Sequence, residues 1–135
     1  MFKRRCLLLT VACLATAVAR AESPCDGVSR ILTDAQRAAW APSIAKQMAV
    51  PTVDLLKAFS IGDWRIVNVD THQSDEGFLF YDRDPSAGRY KSLWGGVAMK
   101  DEEREIMSWT LTNVPGIPTK LASCFSWYVT HNRNT

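Results

Sequence analysis

The sequence predicts an α+β fold in which N-terminal helices pack on an antiparallel meander of four to five strands. Two observations predict this class. Helix-start signals and apolar residues at helical spacing come before residue 62, and short runs rich in aromatic and β-branched residues follow it. The clearest of these is the segment WRIVNVD-THQSDE-GFLFY (64–81). Its two apolar runs flank six polar residues, which is typical of two strands joined by a loop.

The first 21 residues predict an export signal that is removed. A basic start, Lys3-Arg4-Arg5, precedes an almost wholly apolar stretch over residues 6–19, and Ala19-Arg20-Ala21 supplies a small-residue cleavage site. The apolar stretch is shorter than the about 20 residues that a membrane-spanning helix needs. We therefore expect cleavage after Ala21. An uncleaved anchor and a lipoprotein acylated at Cys13 are the alternatives.

The mature chain, residues 22–135, is then a single domain with a weakly negative charge. Cleavage removes four of the 16 basic side chains and none of the 14 acidic ones, which leaves 12 against 14 and a net charge of −2. No stripe of lysine and arginine remains, so we expect no nucleic-acid binding. We also expect no cofactor, and no transmembrane segment once the signal is removed.

Two of the four cysteines leave with the signal, and Cys25 and Cys124 remain. In an oxidising compartment, a pair of cysteines without ligand-type neighbours predicts a disulfide. The bond would close a loop of about 100 residues, which stabilises a fold by up to about 4.7 kcal/mol in the chain-entropy model. The alternative is a reactive or metal-bound thiolate.

The elements before the hairpin are predicted to be helices. The segment Thr33-Asp34-Ala35-Gln36 matches a capping box, and Pro42 predicts a kink or a new helix start in the helix that follows. Thr52 is predicted to cap a second helix that ends at Gly62. The apolar residues that recur at near-helical spacing in this second helix are Val53, Leu55, Leu56 and Phe59.

The elements after the hairpin are predicted to be strands. Arg89–Val97 is the third strand, with a bulge or bend at Gly95-Gly96, and Ile106–Thr112 is the fourth. The segment Lys120–Thr130 fits both a helix and a strand. Its aromatic and β-branched residues favour a short helical turn followed by a fifth strand.

Acidic residues concentrate in two loops that a meander brings to the same end of the sheet. The loop 71–76 contributes Asp75 and Glu76, and the segment 98–105 carries a further net charge of −2. The acidic residues of that second segment are Asp101, Glu102, Glu103 and Glu105. We interpret this end as a binding surface for a cationic partner. A solvated rim and a weak Ca²⁺ site are the alternatives, but the spacing matches no calcium loop, and we predict no metal site.

His72 is the one histidine that lies among several carboxylates in the sequence. As a general base oriented by Asp70 or Asp75, it would suit a hydrolase. Turn chemistry alone also accounts for this polar loop, and no G-x-S-x-G elbow surrounds Ser74. We keep His72 and Asp75 as candidates and assign no catalytic residue.

Two further features bear on binding. The stiff loop around Pro115-Gly116-Ile117-Pro118 predicts either an apolar tip at Ile117 that docks on a partner or a turn whose Ile117 folds back onto the core. Five tryptophans are many for a chain of this length. They either line a cleft for a sugar or apolar ligand or share the core.

Together these patterns predict a small secreted or periplasmic protein, without catalytic activity, that binds another macromolecule in the manner of an inhibitor or immunity protein. The acidic loops indicate a cationic envelope protein as the partner. The alternatives are a carrier of a small apolar or sugar ligand in a Trp-lined pocket, and a hydrolase centred on His72. The sequence does not predict an oligomeric state.

Overall fold

The computed structural model describes residue 17 and residues 22–133, so the predicted signal peptide and its cleavage site lie almost wholly outside the described residues. In chain order the elements are α1 (Asp34–Met48), β1 (Asp54–Ile61), β2 (Trp64–Asp70), β3 (Gly77–Tyr81), β4 (Ser92–Gly95), a 3₁₀ turn (Lys100–Glu102), α2 (Glu103–Asn113), α3 (Thr119–Trp127) and a π-helical turn (Tyr128–Asn132). The predicted α+β class is confirmed.

The sheet is an antiparallel meander with the strands in the order β1-β2-β3-β4. The predicted hairpin forms β2 and β3, in which Val67 pairs with Leu79. Each strand pairs with its neighbour along the chain, so a four-stranded meander is confirmed. The strands on either side of the hairpin differ from the prediction.

The first helix begins as the capping box predicts. Thr33 Oγ1 accepts a hydrogen bond from the Gln36 amide, and the Gln36 side chain accepts one from the Thr33 amide. α1 continues through Pro42 as one element, so the predicted new start does not occur. It ends at Ala49, which adopts a left-handed conformation with φ of 54°.

The predicted second helix is wrong, because residues 54–61 form β1. A β-bulge lies between Leu55 and Lys57, where the register against β2 shifts by one residue. The extra residue moves the next inward-facing side chain to Ala58, three positions after Leu55, and both belong to the same core. The bulge therefore gives the inward-facing residues of this strand a spacing close to that of a helix.

The strands predicted after the hairpin are also corrected. The third is limited to β4 (Ser92–Gly95), and Gly96 follows it with φ of 114°. The predicted fourth strand, Ile106–Thr112, lies within α2, where Ile106 and Thr110 are buried one helical turn apart. The predicted fifth strand is α3 and the π-helical turn, so the helical spacing in Lys120–Thr130 is the one that the chain adopts.

The sheet separates two apolar cores. α1 packs on one face against side chains such as Val67 and Leu79. α2 and α3 cover the other face, where Phe78 and Phe80 meet Phe125. Both faces of β2 and β3 are apolar because both are covered by helices.

The predicted disulfide between Cys25 and Cys124 is confirmed. Both residues are buried, and the bond joins the turn at residues 24–27 to α3 across 99 positions of sequence. A buried disulfide of this kind fits a protein that works in an oxidising environment.

Gln47 fastens the loop after β3 to α1. Its side chain accepts a hydrogen bond from the Tyr81 hydroxyl at 2.8 Å and donates to the carbonyls of Pro85 and Gly88 at 2.9 and 3.1 Å. Burial raises the pKa of the Tyr81 hydroxyl well above its ordinary value, so that group stays neutral.

Gln47→Leu is expected to lower the free energy of unfolding by about 1–3 kcal/mol, because it leaves the buried Tyr81 hydroxyl and two carbonyls without this partner. Urea denaturation measures the change. The double variant Gln47→Leu/Tyr81→Phe is expected to recover part of the loss, since the orphaned hydroxyl is gone. If the double variant recovers no stability, the unpaired Tyr81 hydroxyl is not the cause of the loss.

Candidate functional site

Two surface grooves lie beside the helices that follow the sheet. The first, here called the acidic groove, has a volume of about 1040 Å³ and runs beside α2 and α3. Its charged residues are Asp101, Glu103, Arg104 and Glu105. Met107 and Trp109 are half-buried and supply an apolar wall.

The second feature, here called the arginine groove, has a volume of about 590 Å³. Asp75 and Glu76 line it together with Ala98 and Lys100. The structure therefore brings the loop 71–76 beside the start of the segment 98–105, as the meander predicts. That segment is a 3₁₀ turn and the first turn of α2 rather than a loop.

The two grooves adjoin at a contact between Glu103 of α2 and His131 of the π-helical turn. His131 Nδ1 lies 3.6 Å from Glu103 Oε2 and 2.7 Å from Thr130 Oγ1. The imidazole also stacks on Trp127, with the rings 9° from parallel. Trp127 and His131 are four residues apart, and residues at this spacing are neighbours on a helix. A prediction that the helix continues past Trp127 would therefore also have predicted their contact.

The remaining acidic candidate has a local role. The Glu102 carboxylate accepts a hydrogen bond from the Met99 amide at 2.6 Å and so closes the 3₁₀ turn. Asp101 and Glu105, in contrast, are exposed and line the acidic groove. Of the predicted acidic residues, all except Glu102 line one of the two grooves.

The arginine groove contains a residue that sequence reasoning missed. Arg133, the last described residue, places its guanidinium 5.4 Å from the ring centroid of Phe78 and 5.9 Å from that of Trp94. Its Nη2 lies 3.8 Å from Glu76 Oε2, and its Nη1 donates to the Gly96 carbonyl. The side chain is only 18% exposed, although it carries a full charge.

His72 is exposed and lies between two carboxylates. Its Nε2 is 2.7 Å from Asp54 Oδ2 and its Nδ1 is 3.4 Å from Asp70 Oδ2. The hydrogen bond to Asp54, and then the charge of Asp70, raise the pKa of this imidazole. With both nitrogens facing carboxylates, the ring favours the protonated form, which is poorly suited to a general base. Asp75 lines the arginine groove instead.

The raised pKa of His72 gives a prediction for pH. A histidine whose pKa is raised by folding stabilises the fold fully below its ordinary value of 6.5, and this contribution is lost as the pH rises through the raised pKa. In an NMR titration we expect the His72 midpoint above 6.5, and Asp54→Asn should lower it. A wild-type midpoint at or below 6.5 would contradict the ion pair.

The Pro-Gly loop does not present an apolar tip. Ile117 is 6% exposed and belongs to the core, so the alternative in which it folds back is the correct one. Gly116 adopts φ of 86°, and its Cα faces the Trp64 ring, where a β-carbon would lie 3.6 Å from Cζ2. The loop therefore seals the core.

The five tryptophans do not line one pocket. Trp40 is a buried residue of α1 and donates from Nε1 to Asp84 at 3.1 Å, on one side of the sheet. The other four pack against the core on the opposite side. They are Trp64, Trp94, Trp109 and Trp127, and they lie on two strands and two helices rather than on four strands.

Within residue 17 and residues 22–133, no set of three or more histidine, cysteine, aspartate or glutamate side chains is placed to hold a metal ion. In the same part of the chain, no helix has the length and apolar character needed to cross a membrane. No protein-family model matches the chain, and no curated protein or solved structure matches it significantly.

Proposed function

We propose that this protein is exported and binds a lysine- and arginine-rich segment of another protein in the acidic groove and the adjoining arginine groove. It would act by occupying that segment, in the manner of an inhibitor or immunity protein. The observation that carries the proposal is the convergence of carboxylates from two separate segments, residues 75–76 and residues 101–105, on two adjoining grooves.

The charge distribution supports a cationic partner. Residues 22–135 carry 14 acidic and 12 basic side chains. Five of those carboxylates and three of those cations line the two grooves, which leaves nine of each sign elsewhere. The net negative charge of residues 22–135 is thus confined to the grooves, where it steers and orients a positively charged segment.

The walls of the acidic groove suit the side chains of such a segment. Lysine and arginine have long apolar stems, which pack on surfaces such as those of Met107 and Trp109 while the charged heads reach carboxylates. An aromatic face also attracts the cation itself. Asp101 and Glu105 are exposed and Glu103 is half-buried. Charged groups of the bound segment can therefore pair with a carboxylate both at the rim of the groove and further inside it.

The Cys25–Cys124 disulfide supports export, because such bonds persist outside the reducing cytosol. The predicted signal peptide supports it too. Intact-mass analysis of protein from the envelope or the medium is the direct check. A mature chain that begins at Glu22 and lacks two thiol protons is expected.

The binding surface is tested with a fluorescein-labelled peptide of repeated Gly-Ser-Lys units. Asp101→Asn/Glu105→Gln is expected to weaken its binding about 3- to 10-fold at low ionic strength, because two rim carboxylates are neutralised. Asp34→Asn/Asp63→Asn is the matched control, since it makes the same charge change at exposed positions outside both grooves. Fluorescence anisotropy gives both affinities.

Raising the salt to about 1 M, where the Debye length is about 3 Å, is expected to weaken binding by the wild type and to bring the two double variants together. Equal losses in both variants at low salt would show attraction to overall charge rather than to the grooves. If neither the wild type nor an Arg133→Gln variant binds any cationic peptide, of lysine or of arginine, the proposed function is overturned.

A further inference from the structure

Arg133 is held as a ligand would be held. Two aromatic faces, those of Phe78 and Trp94, lie within 6 Å of its Cζ, and a carboxylate and a carbonyl meet its Nη atoms. Cations over aromatic rings at such distances are attracted by the ring quadrupole, more so where water is excluded. Four independent groups therefore converge on one guanidinium.

The four groups around the Arg133 guanidinium are here called the cage. They are held in place by residues other than Arg133. Phe78 is a fully buried residue of β3 whose ring is fixed by Phe125, and Trp94 of β4 packs on the same Phe125 ring. Glu76 immediately precedes β3, and the Gly96 carbonyl follows β4. These four groups belong to one paired hairpin, whereas Arg133 comes from the turn after α3.

The cage favours arginine over lysine. A planar guanidinium stacks on aromatic faces while its separate N–H groups reach a carboxylate and a carbonyl in different directions. An ammonium group is a compact, strongly hydrated charge that offers no flat face to a ring. A pocket with two ring faces and two edge acceptors therefore selects the planar cation.

We propose that Phe78, Trp94, Glu76 and the Gly96 carbonyl form a binding site for an arginine side chain of the partner protein, which the chain's own Arg133 occupies until the partner displaces it. This inference rests on the proposed function and specifies the type of side chain that the arginine groove binds. Glu76, Gly96 and Arg133 line the same groove as Asp75 and Lys100, so an arriving segment reaches the site along the surface already described.

Occupation by Arg133 lowers the apparent affinity for the partner. An intramolecular competitor leaves the site open for only a fraction of the time, and the apparent dissociation constant rises by the inverse of that fraction. An internal guanidinium present for about nine-tenths of the time would mask the site about tenfold. Removing Arg133 should therefore strengthen the binding of an arginine side chain more than the binding of a lysine side chain.

The experiment compares two labelled peptides, one of repeated Gly-Ser-Arg units and one of repeated Gly-Ser-Lys units. Arg133→Gln is expected to bind the arginine peptide about tenfold more tightly than the wild type does, with a much smaller gain for the lysine peptide. Arg104→Gln is the charge control, because it removes one cation from the acidic groove and leaves the cage intact. It should raise the two affinities by equal, modest factors.

A direct readout uses the wild-type protein and does not depend on the folding of a variant. In ¹H–¹⁵N spectra, the arginine peptide should shift the Arg133 Nε–H and Trp94 Nε1–H resonances toward new positions, and the lysine peptide should not. Arg133→Gln/Trp94→Leu should lose the preference for arginine. A shift of neither resonance, together with equal arginine and lysine affinities in Arg133→Gln, would overturn the arginine site.

The outcomes separate this inference from the proposed function. If the lysine and arginine peptides bind the wild type alike and Arg133→Gln changes their ratio no more than Arg104→Gln does, the cage is only an internal clamp and the inference fails, while the acidic surface stands. If wild type binds neither peptide and Arg133→Gln binds only the arginine peptide, the cage is upheld. If no form binds either peptide, both proposals fall.

Discussion

Replacing Phe125 with alanine is expected to lower the free energy of unfolding by about 3–5 kcal/mol, the largest effect we predict for a single substitution. Phe125 is fully buried in the core between the sheet and α3. Its ring centroid lies 5.0 to 5.6 Å from those of Phe78, Phe80 and Trp94. Alanine would leave a cavity that residues from both strands and helix cannot fill by small movements.

Chemical denaturation with the mid-point and slope fitted together measures this loss. Leu111→Ala is the control, because Leu111 is 43% exposed on α2 and its truncation leaves no enclosed void. The control should cost less than about 1 kcal/mol. A Phe125→Ala loss as small as that of the control would mean that the core collapses around the missing ring.

Replacing both cysteines with alanine, Cys25→Ala/Cys124→Ala, is expected to cost about 2–5 kcal/mol. The bond closes a loop of 99 positions, and without it the unfolded chain gains conformational freedom while the folded chain changes little. The two side chains are nearly or fully buried, so alanine fills their places without introducing a polar group. Thermal unfolding followed by circular dichroism gives the shift.

The reducing agent dithiothreitol provides the control for the disulfide. It should lower the melting temperature of the wild type once the bond is reduced, and it should leave the Cys25→Ala/Cys124→Ala variant unchanged. A double variant as stable as the oxidised wild type would show that the folded state holds these segments together without the bond.

The parts of the fold that the sequence predicts are those that depend on local signals. The capping box at Thr33 requires only residues three apart, and the β2–β3 hairpin requires only two apolar runs and a polar loop. The Cys25–Cys124 bond was predicted because no other cysteines compete for partners after residue 22. None of these needs knowledge of distant contacts.

The errors arise where distant contacts decide the structure. The bulge beside Leu55 gives β1 a spacing that resembles a helix, and only pairing with β2 settles it. In α2, Met107 and Trp109 alternate with polar residues as in a strand, yet both pack against the core from a helix. The alternation therefore predicts a strand over residues 106–112, and packing against α3 favours the helix instead.

The candidate site was predicted in outline and missed in detail. Acidic residues near positions 75 and 101 were recognised because a meander places alternate connections at one end of a sheet. Arg133 and His131 were missed because their roles depend on α3 continuing into a π-helical turn that returns to the sheet. Asp54 was missed as the partner of His72 because its segment was predicted to be helical.

Because the sheet divides the apolar interior into two cores, one side of the molecule can unfold locally without the other. Only Trp40, Ile44 and Ala45 of α1 are buried, and the disulfide anchors the opposite layer. Loosening of α1 would therefore strip one side of the sheet while leaving α2, α3 and both grooves assembled. In that half-open state both grooves would keep their shape, so the integrity of α1 and the integrity of the grooves are separable properties in this protein.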